Sequence, residues 1–261
     1  MAGFGLQFDS HYFFNFVFSP PPTLLQGIVV TVAAAITSEA AGVAGGTLLA
    51  LAGMSPLLPL RLLNTGYVWF FRGTPVLVQL MLIYFGLPYL LGFDIFPVVL
   101  GIGALEISGA VVAGVATFAL HEAAYMSEIA RAGIQSIPRG QGEAAKSLGL
   151  ARVLAFRLVI LPQAVRVIVP PLGNQFNQML KTTSLLSVIG VGEMFRVAEQ
   201  MQAASFRTFE VYLGISVYYL ALTGIWTAIQ MTIERRLRRS LRQPQPGRLA
   251  VPLPSQTVAP V

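Results

Sequence analysis

Cysteine is absent from the 261-residue chain, which removes disulfide frameworks, thiolate metal sites and cysteine nucleophiles together. Histidine is nearly absent too, found only at His11 and His121 without metal-ligand spacing, so a membrane-embedded hydrolase has no residues to rest on and no cofactor is expected. Charge is scarce: 11% of residues are Asp, Glu, Lys or Arg, against roughly 25% in an ordinary soluble domain. What fills the space is apolar, 55% of the chain, and this composition suits lipid as solvent. No basic residue precedes Arg61, so the N-terminus lacks the charged start of a signal peptide and the first apolar segment reads as a permanent span.

A helix needs about 20 mostly apolar residues to cross the hydrocarbon core. Thr23 to Gly53, Tyr67 to Tyr89, Val111 to Ala132 and Val165 to Ile189 meet that requirement, and Phe209 to Ile233 is a fifth span ending in a basic tail. Between the second and third lies Leu90 to Gly109, apolar but interrupted by Gly92, Asp94, Pro97, Gly101, Gly103 and Glu106. It reads as a re-entrant or interfacial piece, or an extra helix.

The net charge of +6 would suit nucleic acid or an anionic membrane surface. Position decides for the membrane, because the basic residues flank apolar segments, and no nucleic acid partner is expected. With Met1 outside, the inner segments hold Arg61, Arg72, Arg131, Arg139, Lys146, Arg152, Arg157, Arg235, Arg236, Arg238 and Arg239. The outer segments hold Asp9, Asp94, Glu193, Glu199 and Glu210, with Arg196 and Arg207 as their basic residues. The excess of Lys and Arg on one side sets the orientation: N-terminus outside, C-terminus inside. Residues 1–241 are expected to form one transmembrane domain, and 242–261, rich in Pro, Gln, Ser and Arg, a disordered cytoplasmic tail.

That orientation puts a loop of about 30 residues, Gly133 to Gln163, in the cytoplasm. Pro138 and Gly140 break the preceding helix, Glu143 to Lys146 are good helix formers, and Gly149 supplies a turn before Arg152 to Leu161. A short helix along the membrane surface, acidic in its first turn, would fit a groove on a cytoplasmic partner. Gly140 to Ser147 mimics a phosphate-binding loop, but Ala145 replaces its second glycine and no strand precedes it, so nucleotide binding is not expected here.

Glu143, Ala144, Ala145, Gly149, Val159, Leu161 and Pro162 resemble the Glu-Ala-Ala motif of ABC importer permeases, with Val159 in place of the usual isoleucine. Phe71-Arg72-Gly73-Thr74-Pro75 with Gln79, Ala124-Tyr125 with Glu128-Ile129 and Arg131, Ile137-Pro138 with Gly140-Gln141, Pro171 to Asn174, and Lys181 with Ser184-Leu185 resemble the polar amino acid type, the histidine, arginine and glutamine importers. The resemblance runs from about Thr23 to Arg238. It implies an all-α membrane protein of about five transmembrane helices, with a cytoplasmic coupling helix, in the type I ABC importer fold. It also implies an inner-membrane permease working with a cytoplasmic ABC ATPase dimer, an external substrate-binding protein and a second permease copy. Glu143, Ala144, Ala145, Lys146 and Gly149 would then be the ATPase-coupling residues.

Ionisable groups inside spans are costly, roughly 2.5 to 3.5 kcal/mol each on insertion scales, and each needs a reason. Glu39, Glu122 and Lys181 are the main ones. On the fourth span Asn174, Asn177, Gln178, Lys181 and Ser184 recur at helical spacing on one face, which should meet a partner subunit or a translocation cavity rather than lipid. On the third, His121, Tyr125 and Glu128 share a stripe beside Glu122. Glu122 and Lys181 could complement the two ends of an amino acid substrate, so the candidate substrate-binding set is Glu122, His121, Tyr125, Asn174, Gln178, Lys181, Ser184 and Leu185. An internal ion pair of Lys181 with Glu39 or Glu122 is the structural alternative. A stand-alone or proton-coupled secondary transporter using Glu39 and Glu122 is the functional alternative, disfavoured by five spans without an inverted repeat.

Overall fold

A computed structural model of the chain describes residues 8–97, 100–102 and 105–239, so the expected disordered tail, 242–261, lies outside the described residues. The chain opens with a short helix, α1 (Ser10–Phe18), whose N-cap Asp9 accepts from the backbone N–H of Tyr12 at 2.9 Å. Prolines 20 to 22 end it and start α2 (Pro22–Gly53), a 32-residue helix and the first span.

The second segment is not one straight span. Helix α3 (Leu58–Gly73) and the stretch α4 (Val76–Met81), a π-turn (Leu82–Gly86) and α5 (Leu87–Leu91) meet at an angle of 105°. This corrects the expectation of a continuous helix from Tyr67 to Tyr89. Pro75 has no N–H to continue α3 and forces Thr74 into extended backbone, φ −117° and ψ 145°. Of the readings offered for Leu90 to Gly109, the extra helix is not formed: between the end of α5 at Leu91 and the start of α6 at Gly109 no described residue is helical. After the left-handed Gly92, φ 75°, the described part forms a small antiparallel hairpin, β1 (Leu100–Ile102) with β2 (Leu105–Ile107), Gly101 opposite Glu106. Gly and Pro at this density deny a helix its hydrogen bonds and entropy, which leaves short strands as the local solution.

The third span is α6 (Gly109–Gln135), and α7 (Arg139–Ser147) follows on the inner side. A rod of α8 (Arg152–Ala155), a π-turn (Phe156–Ile160), α9 (Leu161–Thr182) and a 3-10 turn (Thr183–Ile189) then forms the fourth. At the outer end α10 (Met194–Ser205) leads to the last span, α11 (Thr208–Arg239).

Small residues set the spine. Gly42, Gly46 and Ala50 lie on one stripe of α2 and press against α6, the most extensive helix pair of the fold. A Cβ at Gly42 would sit 2.6 Å from Glu122 Cβ, and one at Gly46 would sit 2.6 Å from the Ala123 carbonyl oxygen, so neither position has room for a side chain. Leu80, Phe118, Leu180 and Leu186 fill the centre between α4, α6 and α9. At the outer end Phe16, Leu24, Met194, Val211 and Ile215 form a second cluster, closed by an ion pair between Arg207 and Asp9. The Tyr12 N–H and Arg207 hold the Asp9 carboxyl below the usual carboxylate range. Glu193, in an outer segment, is buried: it caps α10, accepting from the backbone N–H groups of Phe195 and Arg196 at 2.8 and 2.6 Å.

Candidate functional site

Helix α7 begins at Arg139, earlier than expected, so Glu143 lies in its second turn and not its first. It closes with a Schellman turn: Leu150 N–H donates to Ala145 O at 3.1 Å and Gly149 N–H to Lys146 O at 2.9 Å. Gly149 carries φ 79°, the left-handed backbone that glycine adopts without penalty, which explains a glycine at this point of the motif. Glu143, Ala144, Lys146 and Gly149 are exposed. Ala145 is not; it is 3% exposed, on a helix that packs against the π-turn at Phe156–Ile160. Ala145 therefore seats the helix, while its neighbours face out beside Leu148, an apolar side chain left 81% exposed.

The intramembrane charges are separated. Buried Glu122 receives both its hydrogen bonds from the Gln175 amide, at 3.2 and 3.3 Å. Lys181 has no ion pair among the described residues, so the internal pairing with Glu39 or Glu122 is not formed within the chain. Instead Lys181 is exposed, as are Gln178 and Asn174 one and two turns earlier. Asn177 donates to Thr227 and Asn174 accepts from Gln230, both on α11. Ser184 donates to the Lys181 carbonyl and Leu185 packs on the central cluster, so these two shape the helix end more than they offer groups to a ligand.

Glu39 is 7% exposed and neither carboxyl oxygen finds a hydrogen-bond partner. It sits at the edge of an apolar groove of about 470 Å³ between α2, α9 and α11, with Ile36, Phe176, Leu180 and Trp226 around it. Around the α9 circumference this groove lies opposite the Asn174, Gln178 and Lys181 stripe, so Glu39 does not share that face. A buried carboxyl without a partner costs stability. Glu39→Met is expected to stabilise the purified protein by about 1–3 kcal/mol, read as a raised unfolding temperature in detergent. An unchanged or lowered temperature would mean that the carboxyl has a partner in the working assembly.

His121 and Tyr125, on the stripe of α6 beside Glu122, meet the bend after α3 instead of Gln175. The His121 Nδ1 lies 3.0 Å from the Gln79 Oε1, and the Gln79 amide donates to Phe71 O, Thr74 O and the Thr74 hydroxyl at 2.8, 3.1 and 2.8 Å. Gln79 thus satisfies carbonyls freed where α3 stops. Tyr125 lies under the Arg72 guanidinium, 5.2 Å from its ring centroid, and Arg72 and Arg131 both reach Glu128, at 3.5 and 3.0 Å. The candidate substrate set therefore divides: Glu122 faces α9, Asn174, Gln178 and Lys181 face outward from it, and His121 with Tyr125 braces the bend after α3. Sequence reasoning passed over Gln175 and the bracing role of Gln79, and the placing of Gln79 four residues after Phe71-Arg-Gly-Thr-Pro75 was the signal available for the second.

Apolar spans around a small-residue seam, with an exposed helix held at the inner end, define a multi-pass inner-membrane transport component in the type I ABC importer fold. Residues 42–239 match the family described as binding-protein-dependent transport system inner membrane component, and the chain belongs to that family. It is 38% identical over 228 residues to the probable amino-acid permease protein YxeN of Bacillus subtilis (strain 168), covering 87% of this chain and 97% of that one. It is 36% identical to the arginine transport system permease protein ArtQ of the same organism, covering 83% and 93% of the two chains. The glutamine transport system permease protein GlnP of Escherichia coli (strain K12) is 34% identical, with 89% and 99% covered. Among solved structures, a chain of an amino acid ABC transporter crystallised with histidines superposes with a TM-score of 0.75 at 36% identity, over 88% of this chain and 100% of that one. A chain of the MetNI methionine transporter, at 18% identity and a TM-score of 0.63, shares the fold over 82% of this chain and 95% of its own.

Proposed function

We propose that this chain is the permease subunit of an ATP-driven importer for polar amino acids, moved between inward-open and outward-open states by a pair of ATPase subunits docked on α7. The observation that carries this reading is the exposed Glu143-Ala144 face of α7, fixed in place by buried Ala145 and the Gly149 turn. The names of the relatives supply the substrate class. An external binding protein would deliver the amino acid and a second permease copy would complete the pathway. Lys181, Asn174 and Gln178 would line that pathway, since a polar stripe exposed on one chain within a span is untenable against lipid.

The test is Glu143→Ala in the assembled transporter. Loss of one exposed charge-assisted contact is expected to weaken ATPase co-purification about fivefold, with ATP-driven uptake falling in parallel and the permease still folded. Undiminished association and uptake would remove α7 as the docking element.

A further inference from the structure

The inner ends of α2, α3 and α6 enclose a second polar feature that the transport reading leaves unused. It is a cavity of about 430 Å³ lined by Arg61, Asn64, Thr65, Trp69, Glu128 and Arg131. Its depth is fixed by the helix ends: Gly53, on its wall, closes α2, and Arg131 lies four residues before the end of α6, shortly ahead of α7. By the orientation of the chain, the ends of α2 and α6 on its wall are the cytoplasmic ones.

The charges in it do not cancel. Glu128 is the one acidic lining residue, and its carboxylate is already held by Arg131 at 3.0 Å and by Arg72 at 3.5 Å. Arg61 is exposed and has no acidic partner among the described residues. A guanidinium offers a planar fork of donors matched to a phosphate, and basic pockets between helices on the cytoplasmic side suit anionic lipid headgroups. The rim is apolar. Trp69 is 77% exposed, and Leu58 and Leu62, eleven and seven residues before it and so on the same side of α3, are exposed as well. Trp at this depth is an interfacial anchor, and the leucines beside it offer a surface for acyl chains that a free phosphate would leave bare.

We propose that this cavity binds the phosphate of an anionic phospholipid of the inner leaflet, with Arg61 as its principal ligand and Trp69, Leu58 and Leu62 alongside the acyl chains. The site tethers α3, and through the Glu128 cluster the bend after it, to the cytoplasmic leaflet.

Native mass spectrometry of the full-length chain, extracted in neutral detergent and given equal phosphatidylglycerol and phosphatidylcholine, tests this. Phosphatidylglycerol is expected to be retained about fivefold over phosphatidylcholine, and Arg61→Gln to bring the ratio to about one, the loss of one basic contact near a membrane surface. Excess inorganic phosphate is expected to leave the retained lipid in place. Equal retention of the two lipids by the unsubstituted chain would overturn the proposal without recourse to any variant. So would an undiminished ratio in Arg61→Gln, or full displacement by inorganic phosphate, which would make the cavity a free-anion site.

Discussion

Gln79→Leu is expected to be the most destabilising single substitution considered for this chain, costing about 3 kcal/mol or more and read as a fall in unfolding temperature with poor recovery from the membrane. The side chain is 2% exposed and its amide serves Phe71 O, Thr74 O and the Thr74 hydroxyl, while its carbonyl meets His121. Leucine fits the volume but satisfies none of these. The partners are half-buried, each costs up to about 1–3 kcal/mol when left unsatisfied, and at least two are orphaned together. Gln79→Glu is the control: it keeps an acceptor for His121 yet turns acceptors against the two carbonyls, so it should be no better tolerated. A Gln79→Leu protein with unchanged unfolding would show that the 105° bend is held by packing alone.

Lys181→Met is expected to leave folding intact and lower ATP-driven uptake roughly tenfold to a hundredfold, the range set by one charge-assisted hydrogen bond to a substrate carboxylate. The two readouts separate the possible roles. Lysine serving as internal glue would change the unfolding temperature, but it is exposed on the chain and pairs with no carboxylate among the described residues. Lysine facing a pathway or a second copy would change transport. Uptake within a factor of about two of the unsubstituted transporter would exclude Lys181 from the pathway, since that difference is smaller than any charged hydrogen bond supplies.

The helices with strong periodicity and length were legible in the sequence, and their boundaries moved by only a few residues. Thr23 to Gly53 is α2 from Pro22, and Val111 to Ala132 extends to Gly109–Gln135. The bend at Thr74 was partly legible, because Gly73 and Pro75 permit a bent entry, but neither its 105° angle nor its place between two separate helices follows from composition. Leu90 to Gly109 was unreadable for a related reason: its Gly and Pro exclude a helix without specifying what replaces it. Among site residues, the Asn174, Gln178 and Lys181 stripe could be read from spacing, since one helix face needs no partner to define it. Which neighbour each face meets could not. Glu122 paired with Gln175 and not with Lys181, and His121 with Gln79, because interhelical contacts depend on the rotation of each helix about its axis, and that is set by the Gly42 and Gly46 seam.

The rod that begins beneath α7 runs from Arg152 to Ile189, 38 residues, and so is about 57 Å long at 1.5 Å per residue. Its foot bears the π-turn on which α7 packs, and its far end leads into α10 through buried Glu193. Pivoted at the foot, a tilt of about 5° displaces the far end by about 5 Å, roughly the pitch of one helical turn. Leverage of this length means that a small displacement near α7 would be enough to carry the outer ends of the helices from one set of contacts to the next.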